Sequence, residues 1–199
     1  MDESRAIERM RRGEIGGLAV LVRLYEVQAV RTAYLITRDH ALAEDVVQNA
    51  FLRAYQRIDQ FDPARPFGPW FMRSVVNAAI QAARRQEREL SLDAALLDGP
   101  DDLTFADLLP DAAPNPHDQI EQTEVRQAIW DALGKLTPDQ RAAVIQRYYL
   151  DLSDEEMAER LAIRPSTVRW RLHTARQRLR ALLTHHLREH HTSHGQETE

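Results

Sequence analysis

Apolar residues in the N-terminal half of the chain recur every three or four positions, the spacing of one face of an amphipathic helix. Within residues 43–58 this apolar stripe consists of Ala43, Val46, Val47, Ala50, Phe51, Ala54, Tyr55 and Ile58. The same spacing predicts an earlier helix at about 16–37 and, after a proline-rich loop at 59–69, a third helix at about 69–88. Because no segment alternates polar and apolar residues as a strand would, we predict an all-α fold.

The C-terminal part of the chain carries signals for helix starts. The segments TPDQ at 137–140 and SDEE at 153–156 each place a hydroxyl residue three positions before Gln or Glu, the spacing of a capping box. A short turn, LAIRP at 161–165, follows the second box. Its proline begins a further helix that we predict to run to about Leu183. Two helices joined by so tight a turn predict a helix-turn-helix.

Charge divides the chain into three parts, although the net charge is only −5. Residues 1–88 carry 14 arginines and 11 acids, and residues 126–199 carry 12 basic and 10 acidic residues. Residues 89–125 hold ten acids, no Lys or Arg, and four of the nine prolines. This middle segment therefore predicts an extended acidic linker between two small helical domains.

The absence of cysteine among the 199 residues excludes disulfides, Cys-ligated zinc and thiol nucleophiles. The longest apolar run, near residues 16–22, is too short to cross a bilayer, and the first 14 residues lack the apolar core of a signal peptide. We therefore expect a cytoplasmic protein with no cofactor and no membrane contact of its own. His186 and His190 are four residues apart, but we interpret them as part of a disordered chain end rather than a metal site.

The predicted helix after residue 164 has an apolar side and a basic side. The apolar positions are Val168, Leu172, Ala175, Leu179 and Leu182, and the other side carries Arg169, Trp170, Arg171, His173, Thr174, Arg176, Arg178 and Arg180. Between residues 160 and 188 there are eight arginines and no acid. A solvated charged face is the ordinary interpretation of such a pattern. Charge of one sign on the second helix of a helix-turn-helix instead favours binding in the DNA major groove.

The predicted helix at 69–88 carries a second candidate surface at three- to four-residue spacing. Its members are Trp70, Arg73, Asn77, Gln81, Arg84 and Arg88. One aromatic ring, two amides and three cations are the chemistry that binds unpaired bases and their phosphates. The alternative, that Trp70 belongs to the core and the others only face solvent, stays open at this point. The helix at 43–58 also presents a polar face that is either a partner-binding surface or an ordinary solvent face, formed by Asp45, Gln48, Asn49 and Leu52.

Together these motifs resemble those of a bacterial extracytoplasmic-function (ECF) RNA polymerase sigma factor. The resemblance is carried by AEDVVQNAF at 43–51, by the run from Phe61 through RPF at 65–67 to Trp70, and by residues 152–183. It implies two helical domains, a linker and a tail: sigma region 2 over 1–88, an acidic linker over 89–120, a region 4 helix-turn-helix over 121–184, and a His-rich disordered tail over 185–199.

The resemblance also implies partners and site residues. For the first domain it implies docking on the β′ coiled coil of core RNA polymerase through Asp45, Gln48, Asn49 and Leu52. It implies recognition and opening of the minus-ten promoter element through Arg65, Phe67, Trp70, Arg73, Asn77, Gln81, Arg84 and Arg85. For the second domain it implies contact with the β flap and reading of the minus-thirty-five element through Ser166, Thr167, Arg169, Trp170, Arg171, His173, Thr174 and Arg176. An anti-sigma factor is a further implied partner, and the polymerase would form the RNA bonds.

Several positions depart from the pattern usual in that family. Trp170 stands where the family has Ser or another small residue, Ala162 where it has Gly, and Arg164 where it has a small polar N-cap, while Asn49 and Gln81 replace acids. Trp170 cannot make the contacts of a serine, so it either meets a thymine methyl or packs on the sugar-phosphate backbone. A stand-alone helix-turn-helix regulator that acts without polymerase remains an alternative function, and an enzyme with a His-lined metal site in the tail is a second.

Overall fold

The computed structural model describes the backbone of residues 3–92 and 116–193 and the side chains of residues 3–90 and 124–184. The helices in these ranges are α1 (Glu3–Arg11), α2 (Gly16–Thr37), α3 (His40–Gln56), α4 (Phe67–Leu92), α5 (Pro116–Gly134), α6 (Pro138–Tyr148), α7 (Asp154–Leu161) and α8 (Pro165–Ser193). They form two compact units, with α1–α4 in the first and α5, α6, α8 and most of α7 in the second. The predicted all-α fold is confirmed, and none of the described helices is long and apolar enough to cross a membrane.

The first unit follows the hydrophobic pattern closely. α2 spans the predicted 16–37, and α3 ends two residues before the predicted residue 58. Asp39 fixes the start of α3, because its Oδ1 accepts a hydrogen bond from the Leu42 backbone N–H at 2.9 Å. Directly before it, Arg38 ends α2 in the left-handed region at φ 62°, and its N–H donates to the Tyr34 carbonyl at 2.7 Å. The C-cap of α2 and the N-cap of α3 are therefore consecutive residues, which makes the connection between the two helices tight.

α4 begins at Phe67, so the prediction of a loop over 59–69 was wrong for its last three residues. Gly68 and Pro69 occupy the first turn of the helix, where backbone N–H groups have no partner inside the helix and proline is tolerated. A Cβ on Gly68 would lie only 2.9 Å from the ring of Tyr25 on α2. Glycine at this position therefore allows α4 to approach α2 closely.

An aromatic cluster at the start of α4 forms much of the first core. Phe67 and Phe71 are fully buried, and the Phe71 ring stacks on Phe51 with centroids 4.4 Å apart. Trp70 packs on the edge of the cluster, with ring centroids 5.2 Å from Phe61 and 5.5 Å from Phe67. Burying each such ring contributes about 1.5–3 kcal/mol. This packing fixes the rotation of α4 and so decides which of its residues face outward.

Both predicted capping boxes form in the second unit. The Gln140 N–H donates to Thr137 Oγ1 at 3.4 Å, and the Thr137 N–H donates to Gln140 Oε1 at 3.2 Å. The Glu156 N–H donates to Ser153 Oγ at 3.2 Å, and the Ser153 N–H donates to Glu156 Oε2 at 2.8 Å. Because each box satisfies two backbone donors that the helix leaves free, it fixes the start of α6 or α7.

The helix-turn-helix also forms as predicted. Its core combines buried residues of α6, α7, α8 and the connection between α6 and α7 with two partly buried ones: Ala143, Leu152, Met157, Ala158, Val168 and Leu172, with Leu150 and Ile163 packed against them. α8 runs to Ser193, ten residues beyond the predicted end, so residues 185–193 are helical where we had expected disorder. The stretch after Leu183 holds no Gly or Pro before Gly195, so no residue there breaks the helix.

Other predicted features fall partly or wholly outside the described residues. The expected acidic linker over 89–120 is described only at its ends, where α4 continues to Leu92 and α5 begins at Pro116. The side chains of His186 and His190 belong to the part that is not described. Among the side chains that are described, no three His, Asp or Glu groups are arranged to hold a metal ion.

Candidate nucleic-acid interface

The rotation of α8 is set by its buried side. Val168, Leu172 and Ala175 are at most 3 % exposed, and Leu179 and Leu182 are half-buried, which matches the predicted apolar stripe. Because successive residues of an α-helix are about 100° apart, most of the residues between these positions point away from the core. The first turns of α8 therefore present a continuous outward face.

Seven of the eight predicted minus-thirty-five contacts lie on this outward face or at its edges. Ser166, Arg169, Trp170, His173 and Arg176 are exposed, and Thr167 and Thr174 are half-buried. Trp170 exposes 62 % of its surface, so the indole is not a core group of the second unit. Hydrogen-bonding side chains, arginines and one large ring are thus brought together within about three helical turns, which is the size of surface that a major groove accommodates.

Arg171, the eighth predicted contact, has a partner inside the second unit. Its guanidinium Nη2 lies 2.7 Å from Oδ1 of Asp139, and the two side chains are only 17 % and 20 % exposed. Asp139 lies in the first turn of α6, so this ion pair ties α8 to α6. A second ion pair, between Arg147 on α6 and Asp154 on α7, ties the preceding helices together. Arg171 therefore has a structural role that the sequence pattern did not indicate.

The predicted surface on α4 forms one wall of a groove, and the end of α3 with the residues after it forms the other. The lining residues are Arg53, Ala54, Arg57, Gln60, Trp70, Arg73, Ser74, Asn77, Ala78 and Gln81. Trp70 is half-buried, because it packs on Phe61 and Phe67 and also lines the groove. The two interpretations of Trp70, core residue and binding residue, are thus compatible.

Sequence reasoning missed the α3 side of this groove. Arg53 and Arg57 are exposed, four residues apart, and lie on the polar side of α3 directly before the proline-rich loop. The Arg53 Nε donates to the Asn49 carbonyl at 3.1 Å, which holds that side chain along its own helix. Together with Arg73, they give the groove that Trp70 lines three arginines. The repeat of arginines at i and i+4 was the available signal, but its meaning depends on how α3 packs against α4.

The other predicted minus-ten residues separate into exposed and buried ones. Arg84 and Arg85 are exposed further along α4, and Arg65 is exposed in the loop before the helix. Phe67 is fully buried in the aromatic cluster, so its ring is not open to DNA in the conformation described, and its contact with the minus-ten element stays a prediction. The physical reason is that Phe67 fills the core between Tyr25, Phe61 and Phe71, where it supports Trp70 instead.

The predicted docking residues all lie on the outer side of α3. Asp45, Gln48, Asn49 and Leu52 are exposed, and Leu52 exposes 48 % of its surface. The Asn49 Nδ2 donates to the Asp45 carbonyl at 2.8 Å, so this amide lies flat along the helix. An exposed leucine beside short polar groups is a chemistry suited to a protein partner.

Comparisons with known proteins match both units. Residues 21–89 match the family model of sigma-70 region 2, and residues 126–179 match that of sigma-70 region 4. Over 177 residues the chain is 30 % identical to the ECF RNA polymerase sigma factor SigW of Bacillus subtilis strain 168, which covers 89 % of this chain and 94 % of SigW.

Two solved structures share the fold at a TM-score of 0.60. One is the structure of the sigma factor RpoE in complex with the anti-sigma factor NepR from Bartonella quintana. This chain is 23 % identical to RpoE, and the match covers 83 % of this chain and 96 % of RpoE. The other is CnrH in complex with the cytosolic domain of CnrY, which is 22 % identical and covers 92 % of this chain and 97 % of CnrH.

Proposed function

This chain belongs to the extracytoplasmic-function family of RNA polymerase sigma factors, and we propose that it binds core RNA polymerase in the cytoplasm and directs it to a specific set of promoters. The observation that carries this proposal is the match of the two sigma-70 regions, in order, to the two helical units. The family's members are not enzymes. The polymerase would make the phosphodiester bonds, while this chain supplies DNA recognition and helps to open the duplex.

The division of labour we propose follows the chain. Sigma region 2 occupies 1–88, the acidic linker 89–120, sigma region 4 occupies 121–184, and the tail 185–199. An acidic linker suits the basic channels that a polymerase builds for nucleic acid. Each of the two helical units would bind one promoter element, so that sequence is read at two separate places.

The groove between α3 and α4 would receive the unpaired bases of the minus-ten element. A base that leaves the duplex loses its stacking partners, and the ring of Trp70 offers a replacement. Arg53, Arg57 and Arg73 would hold the phosphates on either side of that base, and Asn77 and Gln81 can donate to or accept from base edges. Because these contacts exist only once the strands separate, they would favour the open duplex over the closed one.

The outward face of α8 would read the minus-thirty-five element as duplex DNA. Arg169 and His173 carry donors for base edges or phosphates, and Arg176 lies one turn further along the helix. The capping boxes and the two ion pairs of the second unit would hold α8 at a fixed angle. A rigid support of this kind reduces the ordering that DNA binding would otherwise require.

The α3 face around Leu52 would dock on the β′ coiled coil, and the second unit would contact the β flap. An anti-sigma factor is a further partner that we propose, supported by the fold shared with RpoE, which was solved with the anti-sigma factor NepR. A protein that covers the α3 face would prevent polymerase from using it. Such a partner would keep this sigma factor inactive until a signal releases it.

The proposal is tested by assembling the chain with purified core polymerase and measuring the affinity of the complex. We expect stable binding, and we expect Leu52→Glu to weaken it at least tenfold, because a charge would be buried in a protein interface. Leu90→Glu is the matched control, since Leu90 is a similarly exposed leucine on α4, and it should change the affinity less than twofold. Equal effects of both variants would refute the α3 docking face, whereas no binding by the wild-type chain would refute the function.

The stand-alone regulator is not favoured by these observations. A regulator of that kind needs only the helix-turn-helix. It would not explain why residues 21–89 match sigma-70 region 2. It predicts tight binding of duplex DNA by the isolated chain, usually as a dimer on a palindromic site. Binding of that kind in the absence of core polymerase would reverse this conclusion.

A further inference from the structure

The outward face of α8 is ordered in rows. One row runs along the middle of this face at intervals of four, three and four residues: Ser166, Trp170, His173 and Gln177. It lies opposite the buried row of Val168, Leu172 and Ala175. Trp170 is the largest side chain of this middle row, and 62 % of its surface is exposed.

Arginines flank this middle row on both sides. Arg169 and Arg176 lie along one edge, and Arg171 and Arg178 lie along the other. A helix in the major groove has a phosphate backbone on each side and base edges in front of it. This arrangement would therefore direct the exposed Arg169, Arg176 and Arg178 towards the two backbones and would present Trp170 to the base edges, while Arg171 stays paired with Asp139.

The chemistry of an indole limits what Trp170 can recognise there. The ring has a single N–H donor, no acceptor and no charge, so it cannot make the paired hydrogen bonds with which Arg reads guanine or Asn reads adenine. Base edges in the major groove present one apolar group, the C5-methyl of thymine. We propose that Trp170 reads a thymine of the minus-thirty-five element through apolar contact with that methyl group. This inference rests on the proposed function, because it places α8 on a promoter.

The expected effect of such a contact is modest and specific. Removing one methyl group from a buried apolar contact weakens binding by about three- to fivefold. The effect would be confined to one base pair, because one ring covers one methyl. Packing of the indole on the sugar-phosphate backbone would instead affect every sequence alike.

The test uses holoenzyme reconstituted from core polymerase and the full chain, and a promoter selected by that holoenzyme from a library randomised at the minus-thirty-five element. Each thymine of the element, on either strand, is replaced in turn by deoxyuridine, which lacks only the C5-methyl. We expect one replacement to raise the dissociation constant three- to fivefold with the wild-type chain. We expect no change at that position with Trp170→Ala, whereas Arg169→Ala should retain the methyl effect.

Three results would overturn the inference. They are an element without any A·T pair, a wild-type holoenzyme indifferent to every deoxyuridine, and a methyl effect that persists in Trp170→Ala. In each of these cases the holoenzyme still selects promoters, so the proposed function stands. A holoenzyme that selects no sequence at all would refute the proposed function and this inference together.

Discussion

Ala162 holds the turn of the helix-turn-helix in the left-handed backbone region, at φ 53°, and replacing it with glycine should stabilise the second unit. The turn closes α7 with two backbone hydrogen bonds. The Ile163 N–H donates to the Ala158 carbonyl at 3.0 Å, and the Ala162 N–H donates to the Glu159 carbonyl at 3.3 Å. This is the Schellman arrangement, in which the residue after the helix usually is glycine.

The magnitude follows from two opposing effects of the same substitution. A side chain in the left-handed region costs about 1–2 kcal/mol, which glycine avoids. Glycine also has more freedom in the unfolded chain, which costs about 0.5–1 kcal/mol on folding. We therefore expect Ala162→Gly to raise the free energy of unfolding by about 0.5–1 kcal/mol. Ala181→Gly, at an exposed position inside α8, deletes the same methyl group and should lower it by a similar amount.

The assay is urea unfolding followed by the fluorescence of Trp130, which is 9 % exposed on α5 and so reports on the second unit. A Trp70→Phe, Trp170→Phe background removes the other two of the chain's three tryptophans. The two glycine variants should move the midpoint in opposite directions. If Ala162→Gly destabilised the second unit as much as Ala181→Gly does, the argument from backbone strain would be refuted.

Three further predictions follow from single contacts. Trp70→Ala should lower promoter opening by about tenfold, as permanganate reactivity of the melted thymines reports, with little change in binding of closed duplex; an equal loss in both would contradict a stacking role. Asp139→Asn should destabilise the second unit by about 1–3 kcal/mol, because the half-buried guanidinium of Arg171 loses its charged partner, and unchanged urea unfolding would disprove that. Burial, followed by the hydrogen bond to Glu3, raises the pKa of Tyr25 from 10.0 to about 12. Because the pKa of Tyr25 is higher in the folded state, its contribution to the free energy of unfolding is complete below pH 10 and is lost as pH rises towards 12. The free energy of unfolding of Tyr25→Phe should therefore fall less than that of the wild type between pH 10 and 12 in urea titrations.

Local sequence signals predicted most of the fold. The span of α2, the two capping boxes and the turn before Pro165 depend on residues within a few positions of one another, so a single sequence contains the necessary information. The departure at position 162 has a physical meaning only in the structure, because a residue at φ 53° is held in the region that glycine adopts most easily.

Contacts between helices could not be predicted from the sequence. The pairing of Arg171 with Asp139 joins residues that are far apart in the sequence, so Arg171 was indistinguishable from its exposed neighbours. The burial of Phe67 likewise depends on rings from distant parts of the chain, so the sequence alone did not predict it. Arg53 and Arg57 acquire their place beside Trp70 only when α3 packs on α4.

Run-off transcription is the measurement that tests the central claim most directly. Purified core polymerase would transcribe a fragmented library of the host genome with and without this chain. We predict new discrete transcripts that start downstream of two shared sequence elements, one for each helical unit, and that disappear with Leu52→Glu. The absence of new transcripts, together with sequence-specific duplex binding by the chain alone, would contradict the account of this protein as a sigma factor.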